Sequence, residues 1–232
     1  MVTGPTQLTL GVSLNDDATF DNFLVGTANQ QLVQSLRCPS SDSQIIYLWG
    51  THSAGTSHLL QAMCHHYASA EHGAIYLPLS QKAEFDSEIL SGTCNLALVC
   101  LDDMENLAGD QVWETALFTA FNDIMDGSTM LLLGANSNPL DLGVNLPDLN
   151  SRLQSALIFQ LKSLDEREKR QALQLRASKR GMELPDKVAD FIYHRCNRSM
   201  AGLIDVLQKL DDSSLTHKRK LTIPLVKTTM AW

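Results

Sequence analysis

At 232 residues with 44% apolar side chains, the chain has material for one large domain or for a core with a smaller module. A formal charge of −8 argues against nucleic acid as the main partner, because phosphate contacts need a concentrated basic face. The sequence lacks both a run of about 18 apolar residues and a basic-then-apolar N-terminus, so neither a membrane helix nor a secretion signal is expected.

Residues 1–15 read as a polar tail. Within it, Gln7-Leu8-Thr9-Leu10-Gly11 has two apolar anchors and a glutamine with no neighbours to bury them. Such a segment suits a short motif docking into a partner's groove, and it equally suits a frayed terminus packing on its own domain. Thr19 to Gly26 is a turn leading into a helix, with Asn29 near its start and Leu32, Val33 and Leu36 on one face.

Ile45 to Trp49 reads as a buried strand. The next residues, Gly50 to Ser57, fit the phosphate-loop spacing G-x-x-x-x-G-K-[ST], with Thr56 where the lysine belongs. A loop of this kind turns backbone N–H groups toward a phosphate, and the helix that follows adds its positive dipole end. That helix, about 57–69, carries Leu59, Leu60, Met63 and Tyr67 at core spacing. The adjacent residues Cys64, His65 and His66 point to different sides of it and are not expected to bind metal. The five cysteines are scattered without C-x-x-C spacing and read as reduced thiols of a cytoplasmic protein.

A strand is expected at 73–79 and a helix at about 81–90. Leu96 to Leu101 is an apolar run suited to a strand buried on both faces of a parallel sheet, and it ends in Asp102-Asp103. Acids at that end of a strand lie where open α/β sheets bind ligands, although a helix-capping pair would look the same. Glu105 reads as helical surface. An amphipathic helix spans 110–126, and Met130 to Ala135 is the next buried strand, ending in Asn136. After a short strand at 158–161 the pattern changes to three helices: a highly charged one over 165–180, a second from Leu184-Pro185, and a third from about Ser199. Leu221 to Pro224 leads to a short final segment.

These residues resemble the AAA+ proteins, and more narrowly the ATPase region of the bacterial replication initiator DnaA. The resemblance is carried by Phe20-Asp21-Asn22-Phe23 through Gly26 and Asn29, by the loop with Ser57-His58-Leu59-Leu60, and by Leu101-Asp102-Asp103. It continues through Asn136 to Pro139, Asp148 to Leu153, Leu184-Pro185 and Phe191-Ile192, covering most of residues 19–210. It implies an α/β AAA+ P-loop three-layer core with a parallel sheet over 16–163, followed by a helical lid over 164–232. The initiator's helix-turn-helix DNA-binding domain has no counterpart here, so sequence-specific DNA binding is not expected.

The resemblance also implies roles. Phe20, Asp21, Asn22, Val25 and Asn29 would surround the adenine. Gly50, Ser53, Ala54, Gly55, Thr56, Ser57 and His58 would cradle the phosphates. Asp102 and Asp103 match the metal-binding and acidic positions, with Ser57 and Asp102 holding Mg²⁺. Asn136 would be the first sensor and Arg152 an arginine finger acting across an interface. In short initiator-like regulators the tail resembles a sliding-clamp-binding motif, with Gln7, Leu8 and Leu10 as contacts. Gly11 departs from the bulkier residue often found there. A gapless match places Ala201 where the initiator has its lid-sensor arginine, with Arg198 one turn earlier as a substitute. Losing positive charge at Thr56 and Ala201 disfavours a triphosphate more than a diphosphate. The expectation is an ADP-holding regulator with little ATPase of its own, partnered by the initiator and the DNA-loaded clamp. A homo-oligomer stays open. The alternatives are an autonomous ATPase acting as a loader or remodeller, and a scaffold that needs no nucleotide.

Overall fold

The computed structural model describes residues 14–39, 45–68, 73–213 and 220–232. Five strands form one parallel sheet: β1 (Ile45–Gly50), β2 (Ala74–Pro78), β3 (Leu98–Asp102), β4 (Met130–Ala135) and β5 (Leu157–Leu161), in the order β2-β3-β4-β1-β5. The three central strands lie at the middle because both of their faces are apolar. Alternate residues go to opposite layers. Tyr47, Val99, Leu101, Leu131 and Leu133 pack on one side, and Ile46, Leu48, Leu98, Cys100 and Leu132 on the other.

The first layer is covered by α3 (Gln111–Met125) and α4 (Pro147–Ser155), with Trp113, Leu117, Phe121, Leu149 and Leu153 buried. The second is covered by α1 (Gln30–Arg37) and α2 (Thr56–Tyr67), through Leu32, Leu36, Leu59, Leu60 and Met63. The edge strand β5 pairs with β1 alone among the described strands and leaves Leu157 and Ile158 exposed.

Beyond β5 a separate apolar cluster holds α5 (Glu166–Lys179), α6 (Asp186–Arg195), α7 (Met200–Asp212) and α8 (Ile223–Met230) together. Asp165 and Glu168 close a capping box at the start of α5. The lid thus has a fourth helix where sequence reading expected a short final segment. Thr222 accepts the Leu225 N–H at 3.4 Å and Pro224 occupies the first turn, a start signal placed only four and two residues before the helix's buried residue, Val226. The helix expected at 81–90 is instead two 3₁₀ runs, Leu79–Glu84 and Ser87–Asn95. There the Ser91 and Thr93 hydroxyls donate to the Glu88 and Leu90 carbonyls and compete with α-helical pairing.

Candidate functional site

The loop between β1 and α2 turns on two left-handed residues, Ser53 (φ 64°) and Gly55 (φ 108°). Gly55 is required twice over. Its φ belongs to the left-handed region, and a Cβ there would lie 2.9 Å from the Phe23 ring. The N-cap of α2 is Gly55, which has no side chain to cap it, so the leading N–H groups of the helix can turn to a ligand. This loop floors a cavity of about 430 Å³, a size that suits a small organic ligand. The strand ends form one wall, Asn22 and Phe23 of the N-terminal segment another, and Leu164, Ala172, Arg176, Met200 and Ala201 of the lid form the roof.

Gly50, Ser53, Ala54, Gly55, Thr56, Ser57, His58, Asp102, Asp103 and Asn136 all line this cavity. Asp102 is 2% exposed; it accepts from the Tyr76 hydroxyl at 2.7 Å and from the Asp103 N–H at 3.0 Å. Burial pushes its carboxyl above the ordinary range, and the Ser57 and Tyr76 hydroxyls pull it back. A glycine must face it from β4: a Cβ on Gly134 would stand 2.6 Å from Asp102 Oδ1 and 3.2 Å from the Thr56 methyl. Asp103 takes a left-handed backbone (φ 57°) and accepts from the Ser80 hydroxyl at 2.5 Å. Glu105, expected on a helical surface, lines the cavity from a 3₁₀ turn and accepts the Asn136 N–H at 3.4 Å.

Among the described residues, no three His, Cys, Asp or Glu side chains come together as a metal site by themselves. The Ser57 hydroxyl and the Asp102 carboxylate, which meet, nonetheless fit Mg²⁺, an ion that usually takes one or two carboxylates and completes its shell with phosphate oxygens and water.

Four of the five residues expected around the base are engaged away from the cavity lining. Phe20 packs edge-on to His66 and beneath the Arg37 guanidinium. Asp21 pairs with Lys179 at 3.7 Å. Val25 packs into the α1–α2 layer. The Asn29 amide is buried and bonds the Lys162 backbone in both directions, at 2.8 and 2.9 Å. Asn22 does line the cavity, donating to the Asp17 carbonyl at 3.0 Å.

The cation in the cavity comes from an unexpected element. Arg198 does not take the place vacated at Ala201. It stands over the Tyr193 ring and lies 3.9 Å from Glu166, away from the lining. Arg176 of α5 reaches in instead, its Nη2 2.6 Å from His58 Nδ1. The His58 Nε2–H donates to the Thr19 carbonyl at 2.8 Å, so Nδ1 is free to accept.

Burial, and then the Arg176 charge, lower the His58 pKa to about 4. The folded value lies below the ordinary histidine value of about 6.5, so the unfolded chain binds more protons between the two. His58 therefore contributes fully above pH 6.5, and its contribution falls as the pH drops toward 4. Thermal melts over this window should show a loss of up to about 3 kcal/mol that flattens in His58→Gln.

Arg152 lies on α4, outside the cavity lining, half-buried, with its Nη2 donating to Asn122 Oδ1 at 3.1 Å. Gln7, Leu8 and Leu10 lie outside the described residues. No described helix is long and apolar enough to cross a membrane.

The profile of the bacterial DnaA ATPase domain matches residues 14–161, and that of the Hda lid domain matches residues 155–230. Among solved structures, domain III of the Thermotoga maritima replication initiation protein DnaA is similar at 20% identity and TM-score 0.79, over 95% of this chain and 98% of that one. AMPPCP-bound DnaA from Aquifex aeolicus is similar at 22% identity and TM-score 0.68, over 84% of this chain and 65% of that one. The Thermotoga maritima RuvB Holliday junction branch migration motor is similar at 18% identity and TM-score 0.64, over 92% of this chain and 71% of that one.

Proposed function

We propose, for a chain that belongs to the bacterial DnaA ATPase-domain family, that it is an AAA+ regulator of the Hda kind, holding a nucleoside diphosphate and stimulating ATP hydrolysis by the initiator. The observation that carries this reading is a separation. Arg152 stands on α4 outside this chain's own cavity, while that cavity has Thr56 and Ala201 where cations would serve a triphosphate. Arg152 would enter the nucleotide site of an ATP-bound initiator and stabilise charge on the transferring phosphoryl group. The initiator, once left with ADP, would be inactive, which limits chromosome replication to one start per cycle.

In its own cavity the loop from Gly50 to His58 would hold the phosphates through backbone N–H groups, with Ser57 and Asp102 available to Mg²⁺. Asp103 and Asn136 would face the outermost phosphate, and Asn22 and Phe23 would flank the base. The bound diphosphate would be structural, fixing the lid and the surface that presents Arg152. Anionic ADP is the better fit because less charge must be neutralised there.

Gln7, Leu8 and Leu10 would tether the chain to the DNA-loaded sliding clamp. Changing Gln7 and Leu8 to alanine should remove clamp binding in a pull-down with loaded clamp while leaving ADP binding as it was; retained capture would refute the tether. The regulator reading itself is tested by measuring ATP hydrolysis by purified initiator with and without this protein and loaded clamp. Stimulation that needs both supports it. Sustained ATP turnover by the isolated chain would identify an autonomous ATPase instead.

A further inference from the structure

Helix α5 and its C-cap residue place Arg176, Lys179 and Arg180 on one face, the last two standing three and four residues after the first. Two of these cations are neutralised within the fold. Arg180 donates to Asp17 at 3.1 and 2.5 Å and lies 3.8 Å from Asp211; Lys179 pairs with Asp21. Arg176 differs. It is half-buried, lines the cavity, and makes no ion pair among the described residues. Its close partner is the neutral imidazole of His58, the residue that follows Ser57 at the start of α2.

The acid that acts on Arg176 is Asp17, which is already paired with Arg180, so a guanidinium held partly out of water keeps unmet charge that a ligand anion would satisfy. The charged side chains elsewhere on the lining are acids: Asp102, Asp103 and Glu105. Arg176 is therefore the lysine- or arginine-type charge available to an anion among the described lining residues. It comes from the lid, whereas the position it compensates, Thr56, belongs to the core loop.

We propose that Arg176 is the phosphate-binding cation of this site, taking over from the absent loop lysine, so that the phosphates of a nucleoside diphosphate are gripped jointly by core and lid. This rests on the cavity's being a nucleotide site. A loop lysine would read phosphate without reference to the lid. With the charge on α5, phosphate recognition and lid position become one event. His58 holds the guanidinium in a neutral hydrogen bond until a phosphate oxygen offers a charged one.

The test uses the full chain and three probes: ADP, adenosine and inorganic pyrophosphate. Arg176→Ala and Arg176→Gln should each weaken ADP and pyrophosphate by about 10–100-fold and leave adenosine unchanged. Arg176→Lys should fall between these variants and the unaltered protein. Retained adenosine binding reports that each variant is folded. ADP, and not adenosine, should slow amide exchange along α5 in the unaltered protein, and this should vanish in Arg176→Ala. Equal loss for adenosine and ADP would make Arg176 a fastener of the lid and overturn the proposal, as would undiminished ADP affinity. Failure of the unaltered protein to bind ADP at all would overturn the nucleotide reading of the cavity, and this inference with it.

Discussion

Arg152→Ala should lower clamp-dependent ATP hydrolysis by the initiator by about 10³-fold or more, on the scale of an arginine finger removed from a phosphoryl-transfer site. ADP affinity of the altered chain should stay as it was, because Arg152 is not part of its own cavity. The fold should hardly notice. Among the described residues the guanidinium makes one hydrogen bond, to a neutral partner, the Asn122 amide, worth about 1 kcal/mol. A carboxylate would have locked the arginine in place; an amide carbonyl releases it at small cost when a phosphate is offered. Arg152→Lys keeps the charge and loses the planar fork, so it should recover little of the activity. Single-turnover hydrolysis of initiator-bound ATP decides the matter, and an unchanged rate in Arg152→Ala would refute the finger.

The second large effect is expected outside the cavity lining. Glu114 on α3 is 1% exposed and makes no ion pair among the described residues. Its carboxylate accepts three backbone N–H groups: Gly109 at 2.7 Å, Asn145 at 3.0 and 3.1 Å, and Leu146 at 2.7 Å. Leu146 caps α4, the helix that carries Arg152. Glu114→Ala would remove the shared charged acceptor of the Gly109, Asn145 and Leu146 N–H groups and should cost about 3 kcal/mol. In a chain of this size that is a fall of roughly 6–12 °C in Tm. Glu114→Gln should also destabilise, since its amide N–H₂ would be turned toward a backbone donor. Calorimetry reads the loss directly. Stimulation of the initiator should drop alongside stability, because the entry to α4 is loosened. A Tm within about 2 °C of the unaltered protein would show that water replaces the carboxylate without penalty.

The architecture was legible wherever burial leaves a local mark. Leu98 to Leu101 and Met130 to Leu133 are uninterrupted apolar runs because both faces of these strands are covered, and the glycine spacing marked the loop since backbone must approach a ligand there. What escaped was the pairing of residues distant in the chain. Arg176 meets His58 across 118 positions, and the 165–180 segment reads locally as no more than a highly charged helix. Its one available signal was the cation stripe at 176, 179 and 180, with acids at Asp17 and Asp21 for two of the three. Glu114 was hidden for a similar reason, because a carboxylate in an amphipathic helix looks solvent-facing until the loop it serves is known. Arg198 was the expected substitute because it lies one turn before Ala201 in the sequence. The fold turns it instead toward Tyr193 and Glu166.

The two-way bond between the Asn29 amide and the Lys162 backbone has a mechanical meaning. It grips the chain one residue past the end of β5, just ahead of α5, while Glu168 takes the Thr27 N–H at 3.1 Å from the other side of the same bend. The root of α5 is thereby pinned to the residues ahead of α1, and the Lys179–Asp21 and Arg180–Asp17 pairs pin its far end to the same N-terminal segment. From Glu166 to Arg176 the helix runs about 15 Å at 1.5 Å per residue. It is a strut fastened at both ends, and the place of the guanidinium beside His58 is set by both fastenings.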